Sequence, residues 1–190
     1  MSSLTIRPAT PADIGRITEI YADAVINGTA TYELEPPAAS EMTARFDGLA
    51  AYGYPYIVAQ DGAGNILGYA YASAFRSRPA YRFIAEDSIY VAPEAKARGV
   101  GRQLLAALIE SVEALGFRQL VAVIGDGTAA SASVRLHEKL GFRHQGRLEG
   151  SGYKHERWLD TTFMRLEMNG GTAAPPDPQS LPERKHRQEK

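Results

Sequence analysis

The feature that most constrains the fold of this chain is a strand pattern that passes, through a short loop with two glycines, into a helix pattern. Ile89 and Val91 alternate with their neighbours as in a strand, and the pattern ends at Pro93. Gly99 and Gly101 follow in the loop. The apolar residues after them recur at helical spacing: Leu104, Leu105, Leu108, Ile109, Val112 and Leu115. Because glycines let the backbone approach a ligand closely and a helix N-terminus favours anions, this stretch predicts a phosphate site.

Charged side chains lie on both sides of this loop. Lys96, Arg98 and Arg102 add positive charge around the predicted phosphate site. Upstream, Glu86 and Asp87 supply carboxylates, which can take a proton from a substrate. The same stretch therefore predicts anion binding at one end and acid–base chemistry at the other.

The composition limits the class of protein. The 190 residues suffice for one domain with its own core, and 44% hydrophobic and 23% charged residues are ordinary for a globular protein. A net charge of −1 gives no reason to expect binding to nucleic acid or membranes. The chain has no cysteine, which excludes disulfides and cysteine nucleophiles, and its histidines lack the spacing of metal ligands. No apolar run approaches the roughly 20 residues of a membrane span, and the first seven residues lack the core of a signal peptide. We therefore expect a cytoplasmic protein without a metal.

The order of predicted elements is β-α-α-β-β-β-α-β-α-β-β, which favours an α/β (α+β) fold with a mixed central sheet and helices on both faces. Thr10 is a candidate cap of the first helix and Ser40 of the second. The loop 29–37 is either a solvated connection or a border of the site. The last two strands are predicted at 143–149 and 158–168, joined by 150–155. We expect one domain over residues 1–168 and a disordered tail over 169–190, because the tail is rich in proline, glycine and charge.

The glycine loop, residues 96–101 (KARGVG), resembles the acetyl-CoA pyrophosphate loop of the GCN5-related N-acetyltransferase (GNAT) superfamily, whose pattern is Gln/Arg-x-x-Gly-x-Gly/Ala. It matches neither the Walker pattern nor the dinucleotide fingerprint. Lys96 departs from the pattern, because lysine keeps the charge but lacks the planar donor geometry of arginine.

Further motifs look like the phosphinothricin N-acetyltransferase family within that superfamily, over about residues 6–168. They are Tyr81 with residues 85–91 (AEDSIYV), 121–125 (VAVIG), 133–142 (SVRLHEKLGF), and 152–155 (GYKH) with Trp158. The resemblance implies the GNAT fold, acetyl-CoA as co-substrate and a homodimer. It also implies acetyl transfer to the α-amine of small amino acid-like substrates, such as phosphinothricin and methionine sulfoximine or sulfone. Amino acid detoxification and herbicide resistance would follow from such substrates.

The resemblance also implies roles for individual residues. Glu86 would be the general base that deprotonates the amine before it attacks the thioester. Asp87 is its rival, although neighbours on a strand point to opposite faces. His137 is either a structural histidine or a group that protonates the leaving thiolate or contacts the substrate.

The implied cofactor site consists of main-chain and loop groups: Ser88, Ile89, Tyr90, Val91, Lys96, Ala97, Arg98, Gly99, Val100, Gly101 and Arg102. An unpaired main-chain N–H in the strand would hold the developing oxyanion. Many superfamily members place an asparagine seven residues before the position of His137, where this chain has Ala130. Thr128 or Ser131 would take its place, and Ser131 is included in the predicted site.

The predicted acceptor wall precedes the base and is basic and aromatic, as suits a carboxylate or phosphinyl group. The wall consists of Phe75, Arg76, Arg78 and Tyr81, and the full set of predicted substrate-binding residues adds Ser77, Ala85, Glu86 and Asp87. A second candidate wall consists of Tyr153, Lys154, His155 and Trp158, contributed across a dimer interface. Three alternatives stay open: a broader amino acid or protein N-terminal acetyltransferase, a non-catalytic CoA-binding module, and a nucleotide-binding protein.

Overall fold

The computed structural model describes residues 4–188, which form one seven-stranded sheet in the order β1-β2-β3-β4-β5-β7-β6. The strands are β1 (Thr5–Pro8), β2 (Tyr56–Gln60), β3 (Ile66–Ala74), β4 (Ile84–Val91), β5 (Gln119–Gly125), β6 (Arg143–Lys154) and β7 (Arg157–Glu167). The helices are α1 (Ile14–Asn27), α2 (Ala39–Tyr52), α3 (Val100–Ala114), α4 (Ala132–Lys139) and α5 (Leu181–Gln188). The predicted order of elements is confirmed through β7, and α5 is an addition.

Helices cover both faces of the sheet. On one face the ring of Tyr21 in α1 packs edge-on against Tyr90 of β4, 4.9 Å between centroids. On the other face lies α3, whose Leu104 and Leu108 are fully buried. Gly68 of β3 allows this packing, because a Cβ there would lie 2.8 Å from the carbonyl oxygen of Tyr90 and 3.2 Å from Leu104 Cδ1.

The strands β4 and β5 separate in the middle of the sheet. They are parallel and pair only from Ile84↔Gln119 to Asp87↔Ala122. Beyond this point β4 pairs only with β3, and β5 only with β7. The facing edges of the two strands therefore carry backbone polar groups without a ladder partner, and a wedge opens between them.

Two local expectations are corrected by the structure. Ser40 is not a cap, since α2 begins at Ala39 with Ala38 as its N-cap residue. The connection predicted at 150–155 belongs to β6, which continues to Lys154 with irregular register between Leu148 and Gly152. Glycine and polar residues hid this strand, because they weaken the alternating pattern. Thr10 is the N-cap residue of the 3-10 turn Pro11–Asp13, which leads into α1, whereas the N-cap residue of α1 itself is Asp13. The backbone N and Oγ1 of Thr10 contact Asp13 Oδ2 at 2.8 and 2.9 Å.

The expected disorder of the tail is also corrected. Leu181 and Ser180 are buried, and the Leu181 backbone N donates to the Leu115 carbonyl at 2.8 Å. The polar composition of the tail concealed this one apolar anchor and the helix that follows it. Positions 189–190 of the predicted tail lie outside the described residues. Between residues 4 and 188, no helix has the length and apolar character of a membrane span.

Candidate active site

A cavity of about 420 Å³ fills the wedge between β4 and β5. Both strands line it, with the loop before α2 and the start of α4. The predicted residues that it brings together are Glu86, Asp87, Ser88, Ile89, Tyr90, Ser131 and His137. A wedge in the sheet can therefore expose both acid–base groups and backbone donors to one ligand.

Glu86 lies on the face of the sheet that α1 and α2 cover, opposite Ser73 in the β3–β4 register. Burial raises its pKa to about 7, and the negative charge of Asp87 acts in the same direction. The positive charge of Arg76 opposes this shift. A carboxylate with such a pKa exchanges its proton near neutral pH, as a general base must.

Asp87 lies on the opposite face and contacts α4, which is the strand alternation expected of neighbouring residues. Its Oδ1 is 3.2 Å from Nε2 of His137, and both side chains are at most 4% exposed. The His137 Nδ1 donates to the Ser133 carbonyl at 2.7 Å. Burial by itself lowers the pKa of His137, but the hydrogen bond and charge of Asp87, with the Ser133 carbonyl, raise it above its ordinary value. The imidazole is therefore held in place and favoured in its protonated form.

The second oxygen of Asp87 has no partner. Among residues 4–188, Asp87 Oδ2 is one of three buried side-chain polar atoms without a hydrogen bond. An unpartnered buried carboxylate oxygen costs free energy unless a ligand or water satisfies it. The Asp87 side chain therefore has a free acceptor beside the cavity.

The predicted phosphate loop lies between β4 and α3. Ala97 and Gly99 have positive φ values of 61° and 81°, and α3 begins directly afterwards at Val100. The first backbone N–H groups of a helix have no intrahelical acceptor. They and the helix dipole can therefore bind an anion at this end of the wedge.

Lys96, the departure from the pattern, is largely exposed, with its Nζ 4.0 Å from Asp23 Oδ2. It is thus free to turn toward an anion in the loop. Of the two candidates for the missing asparagine, Ser131 lines the cavity, whereas Thr128 is exposed and is not part of its lining.

The set of predicted substrate-binding residues is divided by the structure. Only Glu86 and Asp87 of this set line the central cavity, and Ala85 is buried beneath the sheet surface. Arg76, Ser77, Arg78 and Tyr81 line a second cavity of about 320 Å³ with residues of α2 and α5. The Phe75 ring packs against Tyr81 with centroids 6.1 Å apart. This division has a physical reason, because the loop leaves β3 at the end of the β4 ladder and folds back over the end of α2.

Several lining residues were not assigned to the site from the sequence. Tyr71 of β3 and Thr161 of β7 line the central cavity, and so do residues 29–32, which decides between the two interpretations of that loop. Tyr32 closes the cavity, since its hydroxyl lies 3.0 Å from Thr161 Oγ1. Gly152 allows this position, because a Cβ there would lie 2.5 Å from the Tyr32 ring. Gly152 was the signal of this close contact in the sequence. Its partner Tyr32 could not be identified from the sequence, because it lies 120 residues away in the chain.

The second candidate wall has an exposed part. Trp158 and Tyr153 are 69% and 57% exposed, and their rings contact each other edge-on. Lys154 points inward and donates to the Thr31 carbonyl at 2.9 Å, while His155 contacts the Gly28 carbonyl at 3.1 Å. In the part of the chain that the structure describes, no group of acidic or histidine side chains is arranged to hold a metal ion.

Comparison with known proteins matches residues 6–163 to the family described as the acetyltransferase (GNAT) domain. Phosphinothricin N-acetyltransferase of Alcaligenes faecalis is 44% identical over 91% of this chain and 87% of that protein. L-methionine sulfoximine/L-methionine sulfone acetyltransferase of Pseudomonas paraeruginosa is 43% identical over 91% of this chain and 99% of that protein. A crystal structure of a GNAT superfamily phosphinothricin acetyltransferase from Sinorhizobium meliloti in complex with AcCoA superimposes with a TM-score of 0.91. The two sequences are 51% identical, and the structural match covers 95% of this chain and 96% of that chain.

Proposed function

Because this chain belongs to the GNAT acetyltransferase family and is an N-acetyltransferase, we propose that it transfers the acetyl group of acetyl-CoA to the α-amine of small amino acid-like acceptors. Phosphinothricin and methionine sulfoximine or sulfone are the proposed acceptors, as the names of the two relatives suggest. The observation that carries the proposal is Glu86, a carboxylate with a pKa of about 7 at the edge of the wedge.

In the proposed reaction Glu86 takes a proton from the acceptor ammonium, directly or through a water. The amine nitrogen then attacks the thioester carbonyl, and a backbone N–H of residues 88–91 stabilises the oxyanion. The new C–N bond forms, the nitrogen gives its second proton to water, and the C–S bond breaks as the CoA thiolate leaves. His137, which lines the same cavity, supplies a proton to the thiolate. Transfer is direct, since the chain has no cysteine to carry an acyl group.

The residues around the wedge suit acetyl-CoA. The N-terminus of α3 and the loop with Lys96, Arg98 and Arg102 would bind the pyrophosphate. The open edges of β4 and β5 would pair with the amides of the pantetheine arm, as an added strand would. Arg76 and Arg78 would bind the anionic group of the acceptor, because guanidinium pairs with carboxylate in two parallel hydrogen bonds.

A panel of acceptors tests this proposal. Purified protein and acetyl-CoA are mixed with phosphinothricin, methionine sulfoximine, methionine sulfone, the free amino acids and an N-terminal peptide, and thiol release is followed. Preferred acetylation of the first three supports the proposal. Equal rates with ordinary amino acids favour the broader alternative, and acetylation of the peptide alone contradicts the proposed acceptor. A protein that binds CoA but acetylates none of them is the non-catalytic module.

We also propose that the protein is a homodimer through the β6–β7 region. Leu148, Tyr153 and Trp158 are each more than half exposed there, and β6 is an edge strand of the sheet formed by residues 4–188. Such an edge favours association. A cytoplasmic location and a role in herbicide resistance stay predictions.

A further inference from the structure

The C-terminal helix α5 lies beside the basic loop that connects β3 with β4. Arg82 Nε donates to Glu183 Oε2 at 3.0 Å, and the two side chains are only 26% and 18% exposed. Arg82 Nη1 also donates to the Pro79 carbonyl at 3.1 Å, and its guanidinium lies 4.4 Å from the centre of the Phe83 ring. One arginine thus joins α5 to the turn within the loop.

The helix α5 is fixed to the body of the protein at two other places. Its first residue, Leu181, donates its backbone N–H to the Leu115 carbonyl at the end of α3. Lys185 Nζ donates to the Ala51 carbonyl at 3.1 Å and lies 5.4 Å from the centre of the Tyr52 ring, near the end of α2. With ends of α2 and α3 as its supports, α5 can hold the loop in a defined position.

The loop and α5 both line the second cavity, and each contributes at least one cationic or aromatic side chain to it. Arg76, Arg78 and Tyr81 come from the loop, and Pro182 and His186 come from α5. Within residues 4–188, neither Arg76 nor Arg78 lies at ion-pair distance from a carboxylate. Two guanidinium groups are therefore available to an anionic ligand.

A charged residue that borders the second cavity also interacts electrostatically with a residue of the central cavity. The charge of Arg76 acts on Glu86, although the two side chains border different cavities. In the β3–β4 register Ser73 lies opposite Glu86, and Arg76 follows only three residues after Ser73. A ligand whose amine lies at Glu86 can therefore extend toward Arg76, and its recognition requires that the loop keep a fixed position.

We propose that α5 is a working part of the acceptor site, and that Glu183, through Arg82, positions Arg76 and Arg78 for the carboxylate or phosphinate of the acceptor. This inference rests on the proposed function. Glu183 is a positioning residue, because it contacts Arg82 and, on its own helix, Arg187 at 3.3 Å, and not the acceptor. Recognition of the acceptor would then depend on a segment outside the matched family domain, which ends at residue 163.

The test compares Glu183→Gln with Arg184→Gln in the full-length chain. Both variants change one charge on α5, but Arg184 is exposed, and among residues 4–188 its guanidinium has a hydrogen bond only to the Gln179 carbonyl. KM is measured separately for acetyl-CoA and for the best acceptor of the panel. Thermal unfolding and hydrogen exchange of the backbone amides of Tyr81 and Arg82 are measured without ligand.

For Glu183→Gln we expect the acceptor KM to rise about threefold to fivefold, the size of one partly exposed ion pair. The acetyl-CoA KM stays unchanged, and the two loop amides exchange faster, whereas Arg184→Gln changes none of these. An unchanged acceptor KM in Glu183→Gln, or an equal rise in Arg184→Gln, overturns the inference. If the wild type acetylates no acceptor, the proposed function fails, and hydrogen exchange alone decides whether Glu183 holds the loop.

Discussion

At the scale of single residues, the proposed chemistry depends on two adjacent carboxylates that face opposite sides of one strand. Glu86 lies toward α1 and α2, and Asp87 lies toward α4, where it contacts His137. The charge of Asp87 raises the pKa of its neighbour and favours the protonated imidazole of its partner. A single buried charge therefore adjusts a base and an acid in the same direction.

The role of Glu86 is tested by Glu86→Gln. The variant has no carboxylate to take the ammonium proton, so kcat at pH 7 should fall by about 100-fold or more. Acetyl-CoA should still raise the melting temperature as in the wild type, since a ligand that binds the native state stabilises it. An unchanged kcat would move the base to another group.

The role of Asp87 is tested by the pH dependence of kcat/KM in Asp87→Asn. Glu86 must be ionised to act, so wild-type activity rises with pH around a midpoint of about 7. Removing the charge of Asp87 lowers the pKa of Glu86, and the rise should move to lower pH. Arg76 still faces Glu86 in this variant and acts in the same direction. Asp126→Asn, which removes an exposed partner of Arg157, should leave the midpoint unchanged; an unmoved midpoint in Asp87→Asn would show that the two carboxylates are not coupled.

At the scale of elements, the loop between β4 and α3 depends on backbone conformation more than on side chains. Gly99 has φ +81° and open space around the position of a Cβ. An alanine at this position has no steric clash, but the left-handed conformation costs it about 1 to 2 kcal/mol of conformational free energy relative to glycine. The substitution of Gly99 by alanine therefore tests the backbone conformation of the loop without adding a side-chain clash.

Gly99→Ala should therefore raise the KM for acetyl-CoA by up to about tenfold and leave the acceptor KM unchanged. The matched control is Gly15→Ala in α1, where the added Cβ also meets nothing within 4 Å and the backbone is helical. It should leave both constants unchanged and stabilise the protein slightly, because alanine is the better helix former. An unchanged acetyl-CoA KM in Gly99→Ala would contradict the assignment of this loop to the cofactor.

At the scale of the whole molecule, the exposed aromatic pair of Tyr153 and Trp158 predicts an association surface. The double substitution Tyr153→Ala with Trp158→Ala should convert a dimer into a monomer in sedimentation velocity at micromolar concentration. Leu34→Ala, at a residue that is 69% exposed elsewhere on the molecule, should leave the dimer intact. A monomeric wild type would remove the basis of this prediction.

Much of the fold could be predicted because its signals are local. Thr10 and Asp13 are three residues apart, and the strand, glycine loop and helix around Gly99 follow each other directly in the chain. Ser40 shows the limit of such reasoning, since this good cap residue lies inside α2, whose N-cap residue is Ala38, two residues earlier. The Arg82–Glu183 contact could not be found by local reasoning at all, because its two residues are 101 positions apart in the chain.

The amino-acid sequence by itself determined the order of strands and helices through β7, and it predicted the phosphate loop and the candidate groups Glu86 and His137, because each depends on local periodicity or on a contiguous motif. The tertiary structure decided how these groups are divided. It joined Asp87 to His137, placed Arg76 and Arg78 in a second cavity, and made the polar tail a wall of that cavity. The physical reason is that charges separated by 50 to 100 residues meet only after the sheet and helices have packed. Apolar contacts drive this packing, and their pattern in the sequence does not indicate which charged side chains will become neighbours.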